Sequence, residues 1–392
     1  MTEKIYDENP RTLDFTATVL SCKKEEKSGQ YAVILDKTAF FPEEGGQGPD
    51  KGFLNSQPVL YVSIDRENTI THLLPCPFPE GSTVTGHVDW AQRFDYMQQH
   101  TGEHILSGLI HKHFCYNNVG FHLGAKETTL DFDGPLTLEE VRRMEKLANE
   151  AVTANLPVNV SFPSEKELAA LTYRSKIALT GSVRIVEIPG IDICACCAPH
   201  VERTGEIGML KITDLQSHRG GVRLTILCGS RALFHYTQKQ DAVSAVSVLL
   251  SAKPDLIADA VARLKEENQN QKERINELQK KLLEYRLSAL PAPEVSPHAV
   301  LFEDTLDTKA MRNAVNGLSA SYAGYSAVFA GNDTDGYQFI IGSEKTDCTQ
   351  AAALLREKLH AKCGGSPVMI QGSVKACREQ IAGLLLSLPA IL

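Results

Sequence analysis

Two pairs of metal-competent side chains stand out in a sequence of 392 residues. His100-Thr-Gly-Glu-His104 sets two imidazoles four residues apart, and Cys196-Cys-Ala-Pro-His200 sets a thiol four residues before a third imidazole. On a helix the first spacing puts His100 and His104 on one face, roughly 6 Å apart along the axis, close enough to share an ion. Glu103 precedes the second histidine instead of following the first, so the order is not that of a zinc metalloprotease. His111 lies on nearly the same face but about 16 Å further along, beyond reach of the same ion. Three nitrogens and one thiolate make a tetrahedral set typical of zinc, so one Zn2+ per chain is expected on His100, His104, Cys196 and His200. Three cysteines within four residues are not explained by isolated buried thiols, and Cys194 and Cys197 stand as alternative ligands.

The elements around these residues imply an α+β chain. The first 90 or so residues carry short β-branched runs, Tyr31 to Asp36, Val59 to Ile64, Thr69 to Leu74 and Thr83 to Val88, spaced as in a small barrel. Between them lies a loop rich in Gly and Pro, residues 38–49. A helical period begins at Gln92. Thr137 with Glu140 and Ser164 with Glu167 are capping-box pairs that open two further helices. Residues 256–287 carry a heptad pattern, with Ile257, Leu264, Gln271, Leu278 and Tyr285 at one seam position and Val261, Asn268, Ile275 and Leu282 at the other. Such a helix cannot bury its own seam, and a homodimer through residues 256–287 is expected. A proline-bearing linker and a small α/β domain follow. The domain boundaries read as 1–91 for the barrel, 92–240 for the zinc-containing domain, 241–290 for the helical segment and 298–392 for the C-terminal domain.

Composition narrows the function classes. At 43% hydrophobic and 22% charged residues the chain has material for several cores. No apolar run reaches the roughly 18 residues of a membrane span, and the apolar run 381–392 is broken by Ser387 and Pro389. The first residues lack the apolar stretch of a signal peptide, so a cytoplasmic location is expected. A net charge of −8 means that any nucleic-acid contact requires a local basic surface. Arg93, Arg184 and Arg223 are candidates for phosphate contacts, with a structural ion pair as the default role of each.

The two ligand pairs, the loop Leu35-Asp-Lys-Thr-Ala-Phe-Phe-Pro-Glu-Glu-Gly-Gly-Gln47 and the run from Cys196 to Ile207 resemble the editing half of alanyl-tRNA synthetase, and most closely its free-standing long-form editing relatives. The resemblance covers essentially the whole chain. It implies a barrel like a translation-factor domain, bound zinc, and hydrolysis of mischarged tRNA-Ala, chiefly the seryl and sometimes the glycyl ester. No aminoacylation core is found, so the activity implied is trans-editing. By the same resemblance Thr38 matches the threonine that reads the serine hydroxyl and Gln47 the glutamine that closes the glycine-rich loop, while the C-terminal tail resembles a tRNA-binding module. Cys197, Ala198 and Pro199 replace the Gly-Gly-Thr of the usual synthetase turn. Backbone N–H groups of Gly45 and Gly46 could meet the tetrahedral intermediate or simply form a tight turn. Zinc is expected to organise the pocket, with water activation as the competing role. The alternative class is a non-catalytic tRNA-binding module with a structural zinc, and a third is a hydrolase of small esters or peptides.

Overall fold

A computed structural model describes residues 2–26, 28–175 and 183–389. The chain divides into two compact units between Leu249 and Leu250. The first opens with seven antiparallel strands in the order Gln57–Pro58, Gly52–Leu54, Thr83–Val88, Asp14–Lys24, Tyr31–Leu35, Ile70–Leu74 and Tyr61–Ile64. Alternation of buried and exposed residues, strict along Thr83–Val88, is what places each strand. Strand Asp14–Lys24 is shared: its first part pairs with Thr83–Val88, its second with Tyr31–Leu35, and a register shift falls between Val19 and Ser21. Phe15, Val33, Leu35, Leu54, Val62, Ile70 and Val84 from both halves meet in one core. The sheet therefore wraps around that core as expected of a barrel, but among the described residues no ladder closes it between the end strands Gln57–Pro58 and Tyr61–Ile64.

Residues 38–49 leave the sheet at Thr38, whose strand Lys37–Thr38 pairs in parallel with Glu3–Lys4. Phe40 and Phe41 anchor the loop in the core. Helix Trp90–Phe114 starts two residues before the expected Gln92, because the Asp89 carboxylate accepts the N–H groups of Ala91 and Gln92. Fully buried Arg93 joins this helix to the loop. Its Nε lies 3.0 Å from both Asp50 oxygens, and its terminal nitrogens donate to Pro10 O (2.8 Å) and Ala39 O (2.6 Å). Arg223 is likewise committed, to both oxygens of Asp131. Arg93 and Arg223 thus serve as internal ion-pair partners.

The helix then packs on a four-stranded antiparallel sheet, Asn118–Leu123, Thr128–Phe132, Gly221–Cys228 and Leu210–His218, with helix Leu138–Thr153 contributing to the same core. Both capping boxes are present, at Thr137 with Glu140 and at Ser164 with Glu167. A three-stranded sheet, Asn159–Ser161, Ile185–Ile188 and Asp192–Ala195, delivers the chain to the cysteine turn. Here the helix comes very close: a Cβ at Gly108 would stand 2.5 Å from Ile191 O, so only glycine allows the approach that sets Asp192 beside His104.

The second unit starts with helix Ile257–Ser288, followed by a five-stranded sheet in the order Ala299–Glu303, Ser326–Asn332, Gly336–Gly342, Met369–Val374 and Lys362–Gly365. Helices Thr308–Ser319, Cys348–Leu359 and Arg378–Leu386 cover it. Ile381 and Leu385 are fully buried, so the terminal apolar run docks on its own unit; residues 390–392 lie outside the described ones. Leu283 and Leu287 pack on this unit's core, whereas the seam residues Val261, Leu264, Ile275, Leu278, Leu282 and Tyr285 are exposed in the single chain. Among the described residues no helix is long and apolar enough to cross a membrane.

Candidate metal centre

Helix Trp90–Phe114 presents His100 and His104 on one face, and the turn after strand Asp192–Ala195 brings Cys196 and His200 against them. One ligand atom from each of the four lies within 4.8 Å of all the others. Cys196 Sγ stands 3.6 Å from His100 Nε2 and 3.4 Å from His200 Nε2. A tetrahedral zinc with bonds of about 2.05 Å to nitrogen and 2.3 Å to sulfur has N–S edges of about 3.5 Å. The donor set and its edges therefore fit a zinc ion.

Each histidine is oriented through its other nitrogen. His100 Nδ1 pairs with Gln47 Oε1 at 2.8 Å, His104 Nδ1 with Asp192 Oδ2 at 2.9 Å, and His200 Nδ1 with Thr101 Oγ1 at 3.0 Å. An Nδ1–H donated to these oxygens leaves the Nε2 lone pair for a metal. Asp192 is held in turn by Arg174, at 2.7 and 2.8 Å. Burial opposes ionisation of Asp192, but the hydrogen bonds from His104 and Arg174 prevail and keep its carboxyl below the usual range. Burial likewise opposes ionisation of Cys196, yet the imidazoles of His100 and His200 pull its thiol well below the ordinary value, toward the thiolate a metal requires. Burial pushes His200 down to about 3, leaving it neutral.

The other two cysteines behave differently. Burial pushes the Cys194 thiol up to about 11. Cys194 does group with His104 and Asp192, but the Asp192 carboxylate is spent on His104 Nδ1 and Arg174. Burial also raises Cys197 far above its ordinary value, with Cys196 and Glu44 adding to it.

Gln47 is fully buried, and its Nε2 has no partner among the described residues. Gly45 and Gly46 are exposed and both adopt positive φ, 62° and 84°. A Cβ on Gly46 would fall 2.7 Å from Phe121 O, so this stretch is a tight turn pressed on the neighbouring strand. Thr38 is fully buried. Its Oγ1 accepts from Phe40 N–H (3.1 Å) and pairs with His72 Nε2 (2.9 Å), and no hydrogen bond links it to the four donors. Arg184 donates to Cys196 O (2.9 Å) and Ala198 O (2.8 Å), clamping the cysteine turn. The sequence marked the four clustered residues, with Asp192 only as a residue flanking the second pair, but not the orienting roles of Thr101, Asp192 and Arg174. Proximity of Thr101 to His100 and of Asp192 to Cys194 was the only signal.

Comparison with known proteins places residues 183–224, which include Cys196 and His200, in the threonyl and alanyl tRNA synthetase second additional domain. An alanine-tRNA ligase of Ignicoccus hospitalis is 31% identical over 333 residues, 81% of this chain and 36% of the ligase. Alanyl-tRNA editing proteins Aarsd1-B of Xenopus laevis and Aarsd1 of Bos taurus are each 31% identical, over 247 and 268 residues, matching 62% and 64% of this chain and 60% of each relative. The chain thus spans about a third of the length of the ligase and 60% of the length of the two editing proteins.

Proposed function

We propose that this chain, a homologue of the alanyl-tRNA editing proteins and of alanine-tRNA ligases, hydrolyses wrongly charged tRNA-Ala in trans. Seryl-tRNA-Ala is the main substrate, glycyl-tRNA-Ala the second, and the cytoplasm the place of action. The observation that carries this reading is Gln47, which orients His100 with its carbonyl and keeps a buried amide N–H2 without an acceptor among the described residues. A metal site that only braces the fold has no use for a spare buried donor, which is costly to leave unpaired.

Hydrolysis joins a water oxygen to the ester carbonyl carbon, breaks the bond from that carbon to the terminal ribose oxygen, and returns a proton to the ribose. The ester is already reactive, so the site has to place the water and meet the charge that grows on the carbonyl oxygen. Gln47 Nε2 and the N–H groups of the exposed residues Gly45 and Gly46 are the donors assigned to that oxygen. Zinc on His100, His104, Cys196 and His200 would supply a fixed positive charge that organises the pocket and the terminal nucleotide. Four protein donors complete a tetrahedral shell, and this favours the organising role over water activation.

Alanine is smaller than serine, so size cannot protect Ala-tRNA-Ala; a group paired only by the serine hydroxyl can. Thr38 is assigned this task. With its proton directed to His72 and one lone pair taken by Phe40 N–H, the hydroxyl retains a lone pair for serine. The second unit is assigned to tRNA binding, and the exposed heptad seam to pairing with a second copy.

The same closed shell also favours, as the second reading, a tRNA-binding module with a structural zinc. Deacylation of Ser-tRNA-Ala, Ala-tRNA-Ala and a free serine ester decides. Editing predicts fast release from Ser-tRNA-Ala only, with Thr38→Val losing serine release far more than any residual alanine release. Zinc-loaded protein that binds tRNA-Ala and releases nothing is the binding module.

A further inference from the structure

Eight buried side-chain polar atoms lack a partner among the described residues, and four of them, Tyr6 Oη, Glu44 Oε2, Gln47 Nε2 and Arg184 Nε, belong to residues gathered around the loop 44–47 and the turn 196–198. The grouping is geometric. Tyr6 is buried with Phe40, Phe41 and Ala198 in one core, its ring edge-on to Phe41 at 5.4 Å, and Cys196 and Cys197 pack against that core. A Cβ on Gly45, the residue after Glu44, would touch Cys197 Sγ at 3.4 Å. Arg184 spends one terminal nitrogen on Cys196 O and Ala198 O, and its Nε stands 3.4 Å from Asp7 Oδ1, an ion pair without hydrogen-bond alignment. The groups gathered here are thus the carboxylates of Asp7 and Glu44, the Arg184 cation and the phenol of Tyr6. Arg184 and Lys4 both act on Asp7, whereas the buried Glu44 Oε2 and Tyr6 Oη are left without partners among the described residues, an arrangement completed by a small cation that carries several hydrogens.

We infer that Glu44 and Tyr6 form a subsite for the primary α-ammonium group of the aminoacyl ester, so that the enzyme acts on free aminoacyl chains and rejects N-acylated ones. The inference rests on the editing reading proposed above and deepens it. An ammonium offers three donors and no acceptor: Glu44 Oε2 takes one and the Tyr6 oxygen a second, while Gln47 on the same loop faces the carbonyl side. N-acylation removes the charge and adds bulk at that point, whereas a change in the amino-acid side chain does not. Selectivity for the free amine is therefore separate from serine recognition at Thr38.

The test has two arms. Wild-type protein and the variants Glu44→Gln and Tyr6→Phe, each checked for zinc content and thermal unfolding, are titrated with a non-hydrolysable 3′-serylamino adenosine and with its N-acetyl form. Wild type should prefer the free amine by about 10- to 100-fold, the worth of one charge-assisted hydrogen bond. That preference should collapse in Glu44→Gln and shrink in Tyr6→Phe. Equal binding of the two analogues by wild type, or an undiminished preference in folded, zinc-loaded Glu44→Gln, overturns the assignment. The second arm compares release of serine from Ser-tRNA-Ala and N-acetyl-Ser-tRNA-Ala, where the same ratio should fall in the variant. Failure of both tRNAs to turn over in wild type counts against the editing reading, and the binding arm still decides the ammonium subsite.

Discussion

Replacing Cys196 or His104 with Ala removes one of four donors that come from segments almost 100 residues apart. If these residues hold zinc and its binding is coupled to folding, bound zinc should drop below stoichiometric and the melting temperature should fall in both variants. Metal analysis that finds full occupancy in both rejects the ligand set. His72 gives a second, independent handle. Burial lowers its pKa from 6.5 to about 4, and Val33 O, 3.2 Å from Nδ1, and Thr38 hold the neutral ring. The unfolded chain then binds a proton that the folded chain refuses, so stability is full above about pH 6.5 and is lost as pH falls toward 4. The share lost from pH 7 to pH 5 is about 2 kcal/mol, and His72→Gln should flatten that part of the difference in urea-unfolding curves. An equal pH response in wild type and variant removes His72 as its source. The clustering of the four side chains was legible in the sequence because each pair is local, i to i+4. Their orienting partners were not, since Gln47, Thr101 and Asp192 reach the histidines only through close approach of loop, helix and strand.

Elements were readable where a local rule sets them. The strands of the first sheet follow alternation, the helix starts at Thr137 and Ser164 follow from capping boxes, and the start at Trp90 was misplaced only because Asp89 was not read as a cap. What local rules did not give is closure: the shared strand Asp14–Lys24 turns the sheet over one core, yet among the described residues the two end strands do not pair with each other. Helix Ile257–Ser288 shows the difference between pattern and partner most clearly. Its inner residues Leu283 and Leu287 face their own unit, while Ile275 and Leu282 on the seam are about half exposed. If a second copy covers that seam, placing Glu at Ile275 and Leu282 should give monomers that remain folded and active, because neither residue belongs to a core. Sedimentation of the unaltered protein as a monomer at micromolar concentration would reject the dimer.

At the scale of the whole molecule, all four residues of the candidate metal centre lie in the first unit, which has two cores of its own; the second unit has two others. The place to separate them is Leu249/Leu250, not residue 298, where the linker ends in the sequence. Cutting at 298 would strand Leu283, Leu287 and Leu290, which pack on the second unit's core. A fragment of residues 1–249 should therefore fold, hold zinc stoichiometrically and keep the chemical step. If the second unit binds tRNA as proposed, with contacts equally strong before and during reaction, their loss belongs in KM and not in kcat. Steady-state assays should show a raised KM, and single-turnover rates at saturating Ser-tRNA-Ala should match those of the full chain. A hundredfold lower saturated rate in a zinc-loaded fragment would mean that the second unit takes part in the chemistry, and that the site built on His100, His104, Cys196 and His200 is incomplete without it.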